Sequence, residues 1–110
     1  MPAYRNVTAT IAAGATTSGE VALKGKRLVG MLMPAALTGT SLTLLTATAS
    51  GGTFVGVTDA AGSPVTFAVA PGQYIAIDPA ALEGLRYVKL VSNLAEAVEA
   101  LVTVVTLDVA

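Results

Sequence analysis

Asn6-Val7-Thr8-Ala9-Thr10-Ile11-Ala12 alternates with a period of two, with Val7, Ala9 and Ile11 on one face and Thr8 and Thr10 on the other. That is the strand period, because successive side chains of a strand leave opposite sides of the backbone. Ala13 to Gly19 follows as a turn-rich loop, Glu20–Leu23 as a short strand, and Lys24-Gly25-Lys26 as a tight connection. Arg27–Met33 is the next strand, ended by Pro34, which donates no ladder hydrogen bond. Ser41–Ala49 alternates strongly and is rich in Thr; Ser50-Gly51-Gly52 turns the chain into a strand over Thr53–Thr58. Asp59 to Pro64 is a loop by its turn chemistry, and Val65–Ala70 and Gln73–Ile77 read as a hairpin about Pro71-Gly72.

Asp78 to Gly84 predicts one helical turn, with Asp78 as its cap, Pro79 in the first position and Gly84 closing it. Arg86–Ser92 and Leu101–Val109 are strands. Between them the pattern is ambiguous: Asn93 and Glu96 form a capping pair, and Leu94, Val98 and Leu101 share one helical face. Eight or nine short strands at regular spacing predict an all-β fold, an antiparallel β-sandwich or jelly roll with one short helical turn. An α/β fold needs longer helical patterns between its strands. With 110 residues, no fixed-period repeat and no linker, the expectation is a single domain over residues 1–110.

The chain is 54% hydrophobic and 12% charged, about half the charge of an ordinary soluble domain. Six Lys and Arg against seven Asp and Glu leave a net charge of −1, so no strong field draws nucleic acid or an anionic membrane. Mean hydropathy is +0.73, and residues 28–58 carry no charge. Pro34, Gly39, Gly51, Gly52 and Gly56 interrupt that stretch, however, and its longest apolar run ends near Leu37, too short to span a bilayer. Met1 to Asn6 leads straight into the first strand with no apolar stretch of a secretory signal.

Several strands are apolar on both faces. Leu28, Gly30 and Leu32 oppose Val29, Met31 and Met33; Leu42 and Leu44 oppose Leu45, Ala47 and Ala49; Val102 and Val104 oppose Val105, Leu107 and Val109. A two-layer sandwich cannot cover every outer face, and large exposed apolar patches mark interaction sites. The expectation is a homo-oligomer, trimer or pentamer, with Val29, Met31, Met33, Leu45, Val105 and Leu107 as candidate interface residues; the bland reading is a set of central strands with small apolar residues outward. Fourteen Thr keep strand surfaces polar without charge, which lowers the desolvation cost of closing an interface.

Chemistry is sparse. Without Cys or His there is no thiol nucleophile, no imidazole base and no common transition-metal site. The seven carboxylates each read structurally: Asp59 and Asp78 at turns or caps, Glu83, Glu96 and Glu99 on solvated turns, Asp108 near the C-terminus, and Glu20 opening a strand. A glycosidase pair needs two of them across a cleft, and no phosphate-loop, calcium-loop or nucleophile-elbow motif occurs. The expectation is a non-enzyme with no catalytic, metal or cofactor-binding residues and no cofactor. Lys24, Lys26 and Arg27 form the one basic cluster, either a solvated hairpin tip or a contact for an acidic partner. Tyr4, Tyr74 and Tyr87 suit either sugar stacking, which suggests a carbohydrate-binding module as an alternative function, or, for the latter two, core and cross-strand packing.

Three segments carry a resemblance: Arg27 to Ala36 (RLVGMLMPAA), Val69 to Pro79 (VAPGQYIAIDP) and Leu85 to Leu90 (LRYVKL). They are similar to small proteins from the structural-gene regions of tailed bacteriophages, over roughly residues 18–109; where such proteins often carry a Trp, this chain has Phe54. The resemblance implies a virion component made in the host bacterial cytoplasm: a capsid decoration or cement protein, a head-spike base or a tail-fibre-associated module. Its implied partners are copies of itself and a major capsid protein or fibre or spike protein, with no nucleic acid, no membrane and no catalytic residues.

Overall fold

The computed structural model describes residues 3–78, 82 and 84–108. Nine strands form among them: β1 Tyr4–Ile11, β2 Val21–Ala22, β3 Arg27–Leu32, β4 Ser41–Ala47, β5 Val55–Gly56, β6 Thr66–Ala68, β7 Tyr74–Ala76, β8 Tyr87–Ser92 and β9 Ala100–Leu107. They build two antiparallel sheets, one ordered β1-β9-β3-β7 (sheet A) and one ordered β2-β8-β4-β5, with β6 also on β4 (sheet B). β5 pairs with Leu45 and Thr46, and β6 with Ser41 to Thr43, so the two act as one interrupted edge strand. The interruption is a small excursion, held where Val65 N–H donates to the Val57 carbonyl and Asp59 N–H to that of Ser63. Counted so, the sandwich has four strands per sheet in jelly-roll order.

The turn at Pro71-Gly72 does not make the expected hairpin: β6 lies in sheet B and β7 pairs with β3 in sheet A. The turn is tight, with Gln73 N–H on the Ala70 carbonyl, but it carries the chain across the sandwich. Local turn chemistry fixes a reversal, not which sheet receives the next strand. The helical turn expected over Asp78 to Gly84 falls largely outside the described residues.

One inner face from each sheet closes the core. Sheet A contributes Ala9, Ile11, Leu28, Met31, Met33, Val102 and Val104; sheet B contributes Val21, Leu42, Leu44, Val88 and Leu90. Each large side chain so buried contributes about 1.5–3 kcal/mol relative to exposure. In β9 the alternation is regular, with Val102, Val104 and Thr106 inward and Leu101, Thr103, Val105 and Leu107 outward. In β3 it is not. Leu28 opposes Thr106 but Gly30 opposes Val105, so Val29 is an extra residue. This β-bulge shifts the phase of every later side chain.

The bulge corrects two candidate interface residues. Met31 and Met33 were expected beside Val29 on an outer face; they are instead core residues, 0% and 2% exposed. A strict period of two cannot continue through an inserted residue. Gly30 is the sequence signal for it, since an isolated glycine inside a strand marks a bulge or a close approach.

Candidate interaction surface

The outer face of sheet A assembles from four strands. Register places Tyr4, Asn6, Thr8 and Thr10 of β1 beside Leu107, Val105, Thr103 and Leu101 of β9. On the far side of β9 stand Gly30 and Leu32, followed by Ala76 and Tyr74 of β7. Tyr4, Leu32, Tyr74 and Leu101 are exposed, Leu32 to 43% and Leu101 to 49%. Arg27, level with Leu107, is the one charged residue among the outer-face positions of these registers, at the lower border; Arg5, opposite Thr106, is on the other face. Tyr74, expected as a core or cross-strand residue, is the latter: it pairs with Leu32 of β3 and lies on this outer face over Gly30. A Cβ on Gly30 would collide with its ring, so the glycine lets the aromatic lie close against the backbone.

The structure therefore divides the candidate residues. Val29, Val105 and Leu107 are half-buried outside the core cluster on the sheet A side, while Leu45 belongs to the outer face of sheet B, opposite Lys89. There the Lys89 ammonium sits 4.5 Å above the Phe54 ring, a cation–π contact that places charge on sheet B's outer surface.

At the lower end, the β2–β3 connection turns at Lys24 (φ 53°) and Gly25 (φ 77°), closed by Lys26 N–H on the Leu23 carbonyl. Part of its charge is compensated: Asp108 lies 3.2 Å from Arg5 Nε and 3.8 Å from Lys26 Nζ. Glu20 accepts from Gly51 N–H at 2.8 Å and from the Ser50 hydroxyl at 2.6 Å. The Gly51 bond, then the Ser50 bond and, least, the field of Lys89, hold its carboxyl below the ordinary value of 4.5, against the opposing effect of desolvation. A depressed carboxylate stabilises the fold above its unfolded-state pKa, and that contribution fades as pH falls through the folded-state pKa. In an NMR pH titration the Glu20 side chain is expected to show a midpoint below 4.5, and Ser50→Ala to move it upward.

The upper end holds a feature the sequence reading misplaced. Asn93 to Glu99 forms no helix, and Glu96, expected on a solvated turn, is 1% exposed. Its carboxylate accepts from Thr38 N–H at 2.8 Å, Gly39 N–H at 2.9 Å and the Ser92 hydroxyl at 3.0 Å. Its own N–H donates to the Ala15 carbonyl, and its carbonyl accepts from Gly14 N–H. Asn93 Oδ1 accepts from Thr40 and Ser41 N–H. The Asn93/Glu96 spacing was visible, but both caps serve a neighbouring loop rather than a helix of their own. Gly39 has no room for a Cβ beside the Ser92 hydroxyl, which lets the backbone reach the carboxylate.

Among the described residues no cluster of acidic side chains could hold a metal ion, and no helix is long and apolar enough to cross a membrane. No protein-family model and no curated protein sequence matches the chain. The solved structure of the SPBc2 prophage-derived protein YomS is similar, with a TM-score of 0.64 at 13% identity, over 98% of this chain and 96% of that one. At that identity the likeness is one of fold, over nearly the full extent of both chains.

Proposed function

We propose that the chain is a non-enzymatic structural protein of a phage or phage-like particle. It assembles with copies of itself on the capsid surface, as a decoration, cement or head-spike-base protein, against a major capsid, fibre or spike protein. The observation that carries this reading is the outer face of sheet A, where Tyr4, Leu32, Tyr74 and Leu101 stand exposed among threonines, with Arg27 only at the border. A second copy meets no like charge across most of this face, and closing it desolvates few charged groups. The fold shared with a prophage-derived protein and the occurrence of jelly rolls in viral capsids support the reading by analogy. Glu20, Asp59, Glu96 and Asp108 are each engaged by local hydrogen bonds or ion pairs, which favours structural over catalytic roles for them.

Leu32→Lys and Leu101→Lys test the face. Both positions are already exposed, so each change is expected to alter the stability of the subunit by no more than about 0.5 kcal/mol. Combined, they are expected to lower the light-scattering mass below that of the wild type; an unchanged oligomer mass contradicts the assignment. Immunogold labelling of purified particles tests the location: surface label supports it, and label confined to particle-free fractions contradicts it.

A further inference from the structure

A sandwich of two open sheets has four edges, and three of them are blunted here. β2 is two residues long, β7 three, and the β5/β6 edge is broken by the 57–65 excursion. Short or interrupted edges are the usual protection against strand pairing. β1 is different: it runs for eight residues, contains no proline and pairs only with β9.

The direction of its main-chain groups follows from two hydrogen bonds. Asp108 N–H donates to the Ala3 carbonyl on the β9 side, and the Thr106 hydroxyl reaches the Arg5 carbonyl there. In an antiparallel pair every second residue turns both N–H and C=O to the same neighbour. The odd-numbered residues therefore serve β9, and Tyr4, Asn6, Thr8 and Thr10 face the open edge. Gly19 N–H donates to the Thr10 carbonyl at 3.3 Å and so closes that end. The open segment is Tyr4, Asn6 and Thr8, symmetric about Asn6.

We propose that β1 pairs with β1 of a second copy about a twofold axis through Asn6, joining two sheets A into one continuous antiparallel sheet. This rests on the homo-oligomer reading above and names the contact that builds the pair. Asn6 opposes Asn6 of the second copy, and Tyr4 opposes Thr8 in both directions. The three open residues then use all their edge groups in about six main-chain hydrogen bonds. On the inner side Arg5 falls opposite Val7, so no two charges of the same sign meet directly, and the aliphatic stem of Arg5 covers the exposed Val7. The Arg5 guanidinium keeps Asp108 of its own subunit, 3.2 Å from Nε, as its counter-ion. The contact is self-complementary, as a twofold interface must be.

The chain contains no cysteine, so one introduced thiol per subunit reports the pairing. Asn6→Cys places two thiols directly opposite, with Cα atoms about 5.5 Å apart, within disulfide range. Under mild oxidation most of the protein is expected as a covalent dimer on a non-reducing gel, with Ala60→Cys on the excursion loop staying largely single. Asn6→Pro removes a donor that points away from β9 and is expected to halve the assembly mass, with circular dichroism and melting temperature nearly unchanged. Asn6→Cys linking no more than Ala60→Cys overturns the proposal, as does a folded Asn6→Pro that keeps the wild-type mass. If the wild-type assembly is lost in Leu32→Lys/Leu101→Lys but kept in Asn6→Pro, the edge contact is wrong while the face stands. A single-chain mass for the wild type overturns both.

Discussion

Met31→Lys is expected to leave the chain unfolded, while Leu32→Lys, one residue on, folds normally. Met31 is fully buried between the sheets as a member of the hydrophobic core. An ammonium placed there must shed its hydration without a partner or force the sandwich open. Such changes fall among the rare ones that cost about 4–5 kcal/mol or more, comparable to the whole stability of about 5–15 kcal/mol of a domain this size. Circular dichroism and thermal melting check the pair of variants directly. A folded Met31→Lys with wild-type melting means that the bulge at Val29 is misplaced and that Met31 faces outward.

Glu96→Ala is expected to be the most damaging change to a charged residue. It strands the N–H groups of Thr38 and Gly39, while the Ser92 hydroxyl keeps the Leu94 carbonyl as an acceptor. Leaving a buried donor unpaired costs about 1–3 kcal/mol, so the loss is about 3 kcal/mol or more. For a domain of this length that lowers the melting temperature by on the order of 15 °C. Glu96→Gln keeps one acceptor oxygen but turns an amide NH₂ toward a donor, and an intermediate loss follows. Urea denaturation of the three proteins gives the ranking; equal midpoints for wild type and Glu96→Ala contradict the buried clamp.

What was legible in the sequence is what obeys a local period. β1, β4, β8 and β9 follow the alternation of Val7 to Ile11, Leu42 to Leu44, Val88 to Leu90 and Val102 to Val104, and together they specify a sandwich. The outward placement of Leu45, Val105 and Leu107 follows from the same rule. Three features escape it because they depend on partners distant in the chain. The bulge at Val29 is set by the pairing of β3 with β9. The crossing at Pro71-Gly72 is set by the pairing of β6 with β4 in one sheet and of β7 with β3 in the other. The burial of Glu96 is set by a loop 57 residues away. Gly30 and the Asn93/Glu96 spacing each signalled something unusual, yet neither says which neighbour accounts for it.

The sheet A face and the open edge of β1 both require that this protein associates with itself. Static light scattering of the wild-type chain at micromolar concentration tests that claim most directly. The account predicts a mass that is an integral multiple of 10.9 kDa, two or more, held across a tenfold dilution. A stable 10.9 kDa species over the same range contradicts it.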